Sequence, residues 1–249
     1  MTKNRDYQAD FYSSFTPIQH RNKRINRANK IRWALQQYIL KELPEATCVD
    51  VGCSAGVITA QLADIFGATV GVDYDRTGLA AIQPEDKLKA FFVRADAMRL
   101  PFANESLDVI ICAQVYEHVP NDVALVNEIY RTLRPGGYCF FSGPNWLFPI
   151  ELHYFLPFLH WLPEGWANQY VRLTQLGTAY YERSRTIWSL RRLLHQFEIR
   201  DIDLEVLLHF YLPKQRGPVG WLKFMPHFIW KLLIPLFPNF NLILLKPDP

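Results

Sequence analysis

The sequence predicts an α/β protein built on a doubly wound, mostly parallel sheet, and three observations carry that reading. Between residues 47 and 142, short and wholly apolar runs alternate with helix-patterned segments. That alternation marks parallel strands covered on both faces. A glycine-rich turn, Asp50-Val51-Gly52-Cys53-Ser54-Ala55-Gly56, closes the first apolar run. Acids then stand at the ends of the next two runs, Asp73 and Asp96.

The elements follow in order. Ile31, Ala34, Leu35, Tyr38 and Ile39 recur at helical spacing, so a helix is expected over 25–43, stopped by Pro44. Residues 47–51 read as the first strand and 56–66 as a helix with Val57, Ile58, Leu62, Ile65 and Phe66 on one side. Strands are expected at 69–73, 91–93, 107–112 and 138–142, with a weak helix at 78–82 and a strong amphipathic one at 122–133. Pro135-Gly136-Gly137 ends the latter. Residues 143–180 mix prolines with many aromatics and read as a packed, irregular insertion or lid. A helix with a basic face (Arg191, Arg192) is expected at 186–197, and strands at 199–206 and 241–245. Residues 219–236 are apolar and helical in part.

Composition narrows the class. Hydrophobic residues make up 49% and charged residues 20% of 249 residues, which describes a globular chain able to bury a core without staples. A net charge of +3 does not by itself point to nucleic acid. Cys48, Cys53, Cys112 and Cys139 lack the paired spacing of a zinc site and are expected as buried thiols. Residues 1–10 are polar, so no secretory leader is read there and a cytoplasmic location is expected. Lys231 and three prolines interrupt the apolar run 224–245, so it is not read as a membrane span.

The glycine turn is the chemical centre of the sequence. A tight turn at the carboxyl edge of a parallel sheet lets a ligand approach backbone. The spacing is not G-x-G-x-x-G, which disfavours a pyrophosphate and suits a cationic, phosphate-free cofactor. Asp73 has the position of an acid that accepts hydrogen bonds from ribose hydroxyls. Asp96 can accept from an adenine amine. The ordered set DVGCSAG, GVDYD, ADAMRLPF, LDVIICAQVYEHVP and LRPGG resembles class I S-adenosylmethionine-dependent methyltransferases of the broad small-molecule type over residues 45–145. The later run from Gly143 to Pro163 looks like a bacterial subgroup whose acceptors are mostly unassigned.

That resemblance implies a single Rossmann-like domain with a seven-stranded sheet whose last strand is antiparallel. Residues 1–45 would form a helical arm, 46–145 the cofactor core, 146–185 the insertion and 186–249 the remainder of the fold. Asp50, Gly52, Ser54 and Gly56 would frame the methionine part of S-adenosylmethionine. Asp73 would bind ribose, and Asp96 and Ala97 the adenine. Gln114 would face cofactor and acceptor. His153 and His118 are the candidate bases for an acceptor hydroxyl, since imidazole titrates near neutrality. No metal is expected, because Gln114 offers an amide where a hard cation would want an acid beside Glu117.

The aromatic-rich insertion suits a small apolar or lipid-like acceptor, methylated at oxygen. The Trp-rich basic stretch 221–240 fits peripheral membrane contact. Two other functions are open at this level. One is a module that binds the cofactor without transfer. The other is a nucleic-acid methyltransferase, favoured by the basic N-terminal arm. The second is disfavoured by Gln114-Val115-Tyr116-Glu117 in place of an Asn/Asp-Pro-Pro-aromatic run, so no nucleic-acid partner is expected.

Overall fold

The computed structural model describes residues 12, 17–39, 43–212 and 225–248. Seven strands form one sheet in the order β3-β2-β1-β4-β5-β7-β6. They are β1 (Thr47–Val51), β2 (Ala68–Asp73), β3 (Phe91–Arg94), β4 (Leu107–Ala113), β5 (Leu133–Pro144), β6 (Glu198–Asp201) and β7 (Asn239–Leu245). Pairing from β3 to β5 is parallel throughout. β7 runs antiparallel to both of its neighbours, β5 and β6. The expected seven-stranded sheet with an antiparallel last strand is therefore present.

The central strands form where side chains are largely apolar on both faces, whereas the edge strands β3 and β6 leave residues exposed. All seven residues of β4 are buried, Asp108 included. On one face the sheet packs beneath α5 (Asp122–Thr132) and α7 (Ile187–Leu193), with Leu125, Ile129, Ile187 and Leu190 meeting Ile110, Phe141 and Leu242. On the other, α1 (Pro17–Tyr38) and α2 (Val57–Leu62) bring Ile31, Leu35 and Leu62 against Val109, Ile111 and Phe140. Some helix starts carry side-chain caps. Asn121 accepts from the Ala124 amide, and Thr186 accepts from the Ser189 amide. Such caps contribute about 1 kcal/mol each. All four cysteines are buried and free.

Several boundaries depart from the sequence reading. α1 begins at Pro17 rather than 25 and ends at Tyr38. Residues 17–24 have no apolar stripe, but Arg21 pairs with Asp86 at 2.8 Å and Arg24 with Ser54 at 3.1 Å. Those long-range contacts replace the missing packing signal. Residues 199–206 divide: the strand is Glu198–Asp201, and Asp203–Val206 is the helix α8. Asp203 is drawn out of the ladder because its carboxylate accepts from the backbone and side-chain amides of Asn241 on β7.

The insertion is more ordered than expected. It contains the helix Glu164–Leu173 and its own small core of Leu159, Ala167 and Val171. In the apolar 219–236 region, His227–Leu233 is helical, and residues 213–224 lie outside the described residues. Among the described residues no helix is long and apolar enough to cross a membrane.

Candidate active site

The site lies at the carboxyl edge of β1, β2, β4 and β5. At the end of β1 the chain turns through Gly52 (φ 76), Ser54 (φ 51) and Gly56 (φ 70), all in left-handed conformation. A Cβ at Gly52 would lie 2.5 Å from Val115, so both the backbone angle and the neighbour require glycine there. Asp50 is buried beneath the turn, where its Oδ2 accepts from the Thr59 hydroxyl at 2.6 Å. Burial pushes its carboxyl up to about 7, partly opposed by the Thr59 bond.

Asp73 ends β2 and ties the turn to the next loop. Its Oδ2 accepts from the Ser54 amide at 2.6 Å and its Oδ1 from the Asp75 amide at 2.8 Å. Burial raises its pKa, while these amide bonds oppose the rise. Each oxygen keeps a lone pair for a further donor. Asp96 and Ala97 follow β3 and are half-buried. Asp96 Oδ1 accepts from the Met98 amide, which holds the loop at the sheet edge. The arm crosses this region: Arg24 reaches Ser54, and the Tyr12 amide donates to Asp75 at 2.7 Å.

The loop after β4 begins at Gln114, also left-handed (φ 63). Its side-chain amide donates to Asn239 on β7 at 3.2 Å. Glu117 follows, fully buried, with Oε1 3.8 Å from His118 Nε2. An added Cβ at Gly143 would lie 2.2 Å from the Tyr116 ring and 3.4 Å from Glu117 Oε2. The ends of β4 and β5 are thus pressed together around this pair. Tyr116 is fixed on the far side by hydrogen bonds to the Pro144 carbonyl and the Arg185 amide.

The insertion delivers His153 to the same place. The His118 and His153 rings meet edge to face at 4.9 Å. His153 Nδ1 lies 2.7 Å from Glu151 Oε1, and Glu151 Oε2 also accepts the His153 and Tyr154 amides. Glu182 adds a third buried carboxylate, 4.0 Å from His118 Nδ1. Burial alone would lower the His153 pKa, but Glu151, Glu117 and Glu182 together raise it to about 9. Burial and the neighbouring His153 charge drive His118 well below its ordinary value. Burial raises Glu117 to about 7, against the pull of His153.

The two expected bases are therefore neighbours, but they differ in charge state. His118 is the neutral one near pH 7. Arg27, on α1, lies within electrostatic reach of both Asp50 and Glu117. A cavity of about 440 Å³ adjoins, lined by residues including Tyr116, Val119, Trp146, Arg183 and Ser189. Its wall is shared with the cluster through Tyr116 and through the Arg183 amide, which donates to the Glu117 carbonyl.

Sequence reasoning passed over Glu117, Glu151 and Glu182 as site residues. The spacing Glu151-x-His153 was a local signal. Glu182 has none, because only tertiary folding brings it to His118.

The sheet order, the turn and the acids at successive strand ends define a class I S-adenosylmethionine-dependent methyltransferase fold. Residues 49–141 match the family model described as a methyltransferase domain. Over 106 residues the chain is 39% identical to the uncharacterized methyltransferase ML2584 of Mycobacterium leprae. That match spans 42% of this chain and 39% of the relative, so it covers about two fifths of either length.

Two solved structures share the fold. One is a chain in the complex of the Haloferax volcanii Trm112 methyltransferase activator, with TM-score 0.59 and 16% identity, covering 98% of this chain and 99% of that one. The other is Haemonchus contortus phosphoethanolamine N-methyltransferase 2 with phosphomonomethylethanolamine and S-adenosylhomocysteine, with TM-score 0.54 and 20% identity. It covers 88% of this chain and 52% of that one.

S-adenosylmethionine is the cofactor of this class, and the residues present fit it. A ribose diol needs a carboxylate with spare lone pairs, as at Asp73. A sulfonium needs no phosphate cradle and is favoured by nearby acids, as at Asp50 and Glu117.

Proposed function

We propose that the protein transfers the methyl group of S-adenosylmethionine to an oxygen of a small, largely apolar or lipid-like acceptor. The observation that carries this reading is the junction of two sites. The glycine turn, which Asp73 holds through the Ser54 amide, meets Val115, two residues before Glu117 in a buried cluster of two imidazoles and three carboxylates. When bound, the cofactor supplies a methyl carbon already activated by its sulfonium, which departs as a neutral thioether. Asp50, Gly52, Ser54 and Gly56 frame its methionine part, Asp73 accepts from the ribose, and Asp96 and Ala97 hold the adenine. Orientation by such groups supplies up to roughly 7–11 kcal/mol of rate enhancement.

The acceptor hydroxyl must lose its proton as its oxygen bonds to carbon. Neutral His118, with Glu182 4.0 Å from its Nδ1, is where that proton goes, since His153 already carries one near pH 7. The 440 Å³ cavity, apolar at Trp146 and Val119 and polar at Arg183 and Ser189, suits an acceptor with an apolar body and a polar end. Calorimetric titration of S-adenosylmethionine and S-adenosylhomocysteine into purified protein tests the reading. One equivalent bound supports it. No binding, with carried-over product excluded by mass spectrometry, overturns it and leaves a non-enzymatic role.

A lipid-facing surface belongs to the same proposal. Phe155, Trp166, Leu173, Phe228 and Leu232 are each 65% exposed or more. Trp166 and Leu173 lie on the helix of the insertion, and Phe228 and Leu232 on the helix that carries Lys231. Exposed aromatic and leucine side chains near Lys231 suit an anionic lipid interface. Wild type should co-sediment with anionic vesicles, and Trp166→Glu with Leu232→Glu should release it. Wild type that stays wholly in the supernatant removes the membrane contact and leaves the transfer reading standing.

A further inference from the structure

Glu117, His118 and His153 are arranged as ligands. One donor atom from each lies within 4.8 Å of the other two. Glu117 is fully buried, and neither of its oxygens accepts a hydrogen bond among the described residues. A buried carboxylate without donors is among the costliest groups a fold can keep, and such groups are found paired or on a metal.

His153 is already oriented as a ligand would be. Glu151 engages its Nδ1 at 2.7 Å and is itself fixed by two backbone amides. A carboxylate on Nδ1 sets the tautomer that leaves the Nε2 lone pair for a metal.

We propose that Glu117, His118 and His153 bind a divalent first-row transition ion, with Glu151 as the positioning residue for His153. Two imidazole nitrogens and one carboxylate favour manganese, iron, cobalt or zinc over magnesium and calcium, which take all-oxygen shells. Three protein ligands leave at least one coordination position for water or another oxygen. Gln114, whose amide is the reason no metal is expected from sequence, is not one of the three ligands, and its Nε2 donates to Asn239. The third ligand comes instead from the insertion, roughly forty residues further along the chain. Use of the ion on an acceptor oxygen rests on the methyl-transfer reading, and with the ion bound the acceptor proton passes to Glu182 rather than to the two ligating imidazoles. Binding of the ion does not.

The test is titration of chelator-stripped protein with Co(II), read by visible d–d absorption and by metal content after desalting. Wild type should take one ion per chain, competed by Zn(II). His153→Ala and Glu117→Gln should weaken Co(II) binding more than 100-fold. Glu151→Gln, a milder change, should weaken it by about 10–100-fold. S-adenosylhomocysteine affinity, measured by calorimetry on the same samples, should stay at the wild-type level in Glu151→Gln.

Absence of Co(II) absorption in wild type overturns the proposal, as does equal Co(II) affinity in wild type, Glu151→Gln and His153→Ala. Cobalt binding without S-adenosylhomocysteine binding keeps the metal site and removes the methyltransferase reading. The reverse result does the opposite.

Discussion

Asp73→Ala is expected to weaken S-adenosylhomocysteine binding by about 10²–10⁴-fold. Each hydrogen bond to a charged group contributes about 1.5–3 kcal/mol. Two ribose hydroxyls on one carboxylate therefore account for about 3–6 kcal/mol, and each 1.4 kcal/mol is about tenfold. A second loss adds to this. The same carboxylate holds the Ser54 and Asp75 amides, so the alanine variant also releases the glycine turn from the end of β2. Asp73→Asn separates the two contributions, since its single carbonyl oxygen still accepts from one amide. Calorimetry should place it between wild type and Asp73→Ala. Affinity within tenfold of wild type in the alanine variant would take Asp73 out of the cofactor site.

His153→Ala is expected to lower the rate of methyl transfer by about 10²–10⁴-fold, because it removes the charged neighbour that packs on His118 and disrupts the proton-handling cluster. Its affinity for S-adenosylhomocysteine should change by less than about threefold. The asymmetry follows from position. His153 comes from the insertion and meets His118, Glu151 and Glu117, while the glycine turn and Asp73 are built from β1 and β2. Single-turnover rates on S-adenosylmethionine, with an acceptor drawn from a lipid extract, read the first effect, and calorimetry reads the second. Equal turnover in wild type and variant retires His153 from the chemistry.

The parallel core was legible because its cause is local. A strand covered on both faces must be largely apolar, and 107–112 meets that condition at every position but Asp108. Asp73 was legible because a fixed topology places the end of the second strand beside the glycine turn. Features with distant causes were not legible. The first turns of α1 are polar and depend on Asp86 and Ser54, which follow Arg21 and Arg24 far along the chain. The helix at Asp203–Val206 depends on Asn241. The side-chain bond of Gln114 goes to Asn239, a residue no local pattern connects to it. Glu182 belongs to the histidine cluster only through tertiary contact.

The placement of β7 between β5 and β6 sets a timetable for the growing polypeptide. β1 to β5 are complete once Pro144 has been made, but the open edge of β5 waits for Asn239–Leu245, some 95 residues later. At about 5–20 residues per second, that is roughly 5–20 s of translation with a long apolar edge unpaired. β6 cannot cover it, because β6 joins the sheet only through β7. A nascent chain in this interval presents Cys139, Phe140 and Phe141 on an unfinished ladder, the kind of surface that recruits chaperones or aggregates. Synthesis of this fold is thus at its most vulnerable after most of its sheet has already formed.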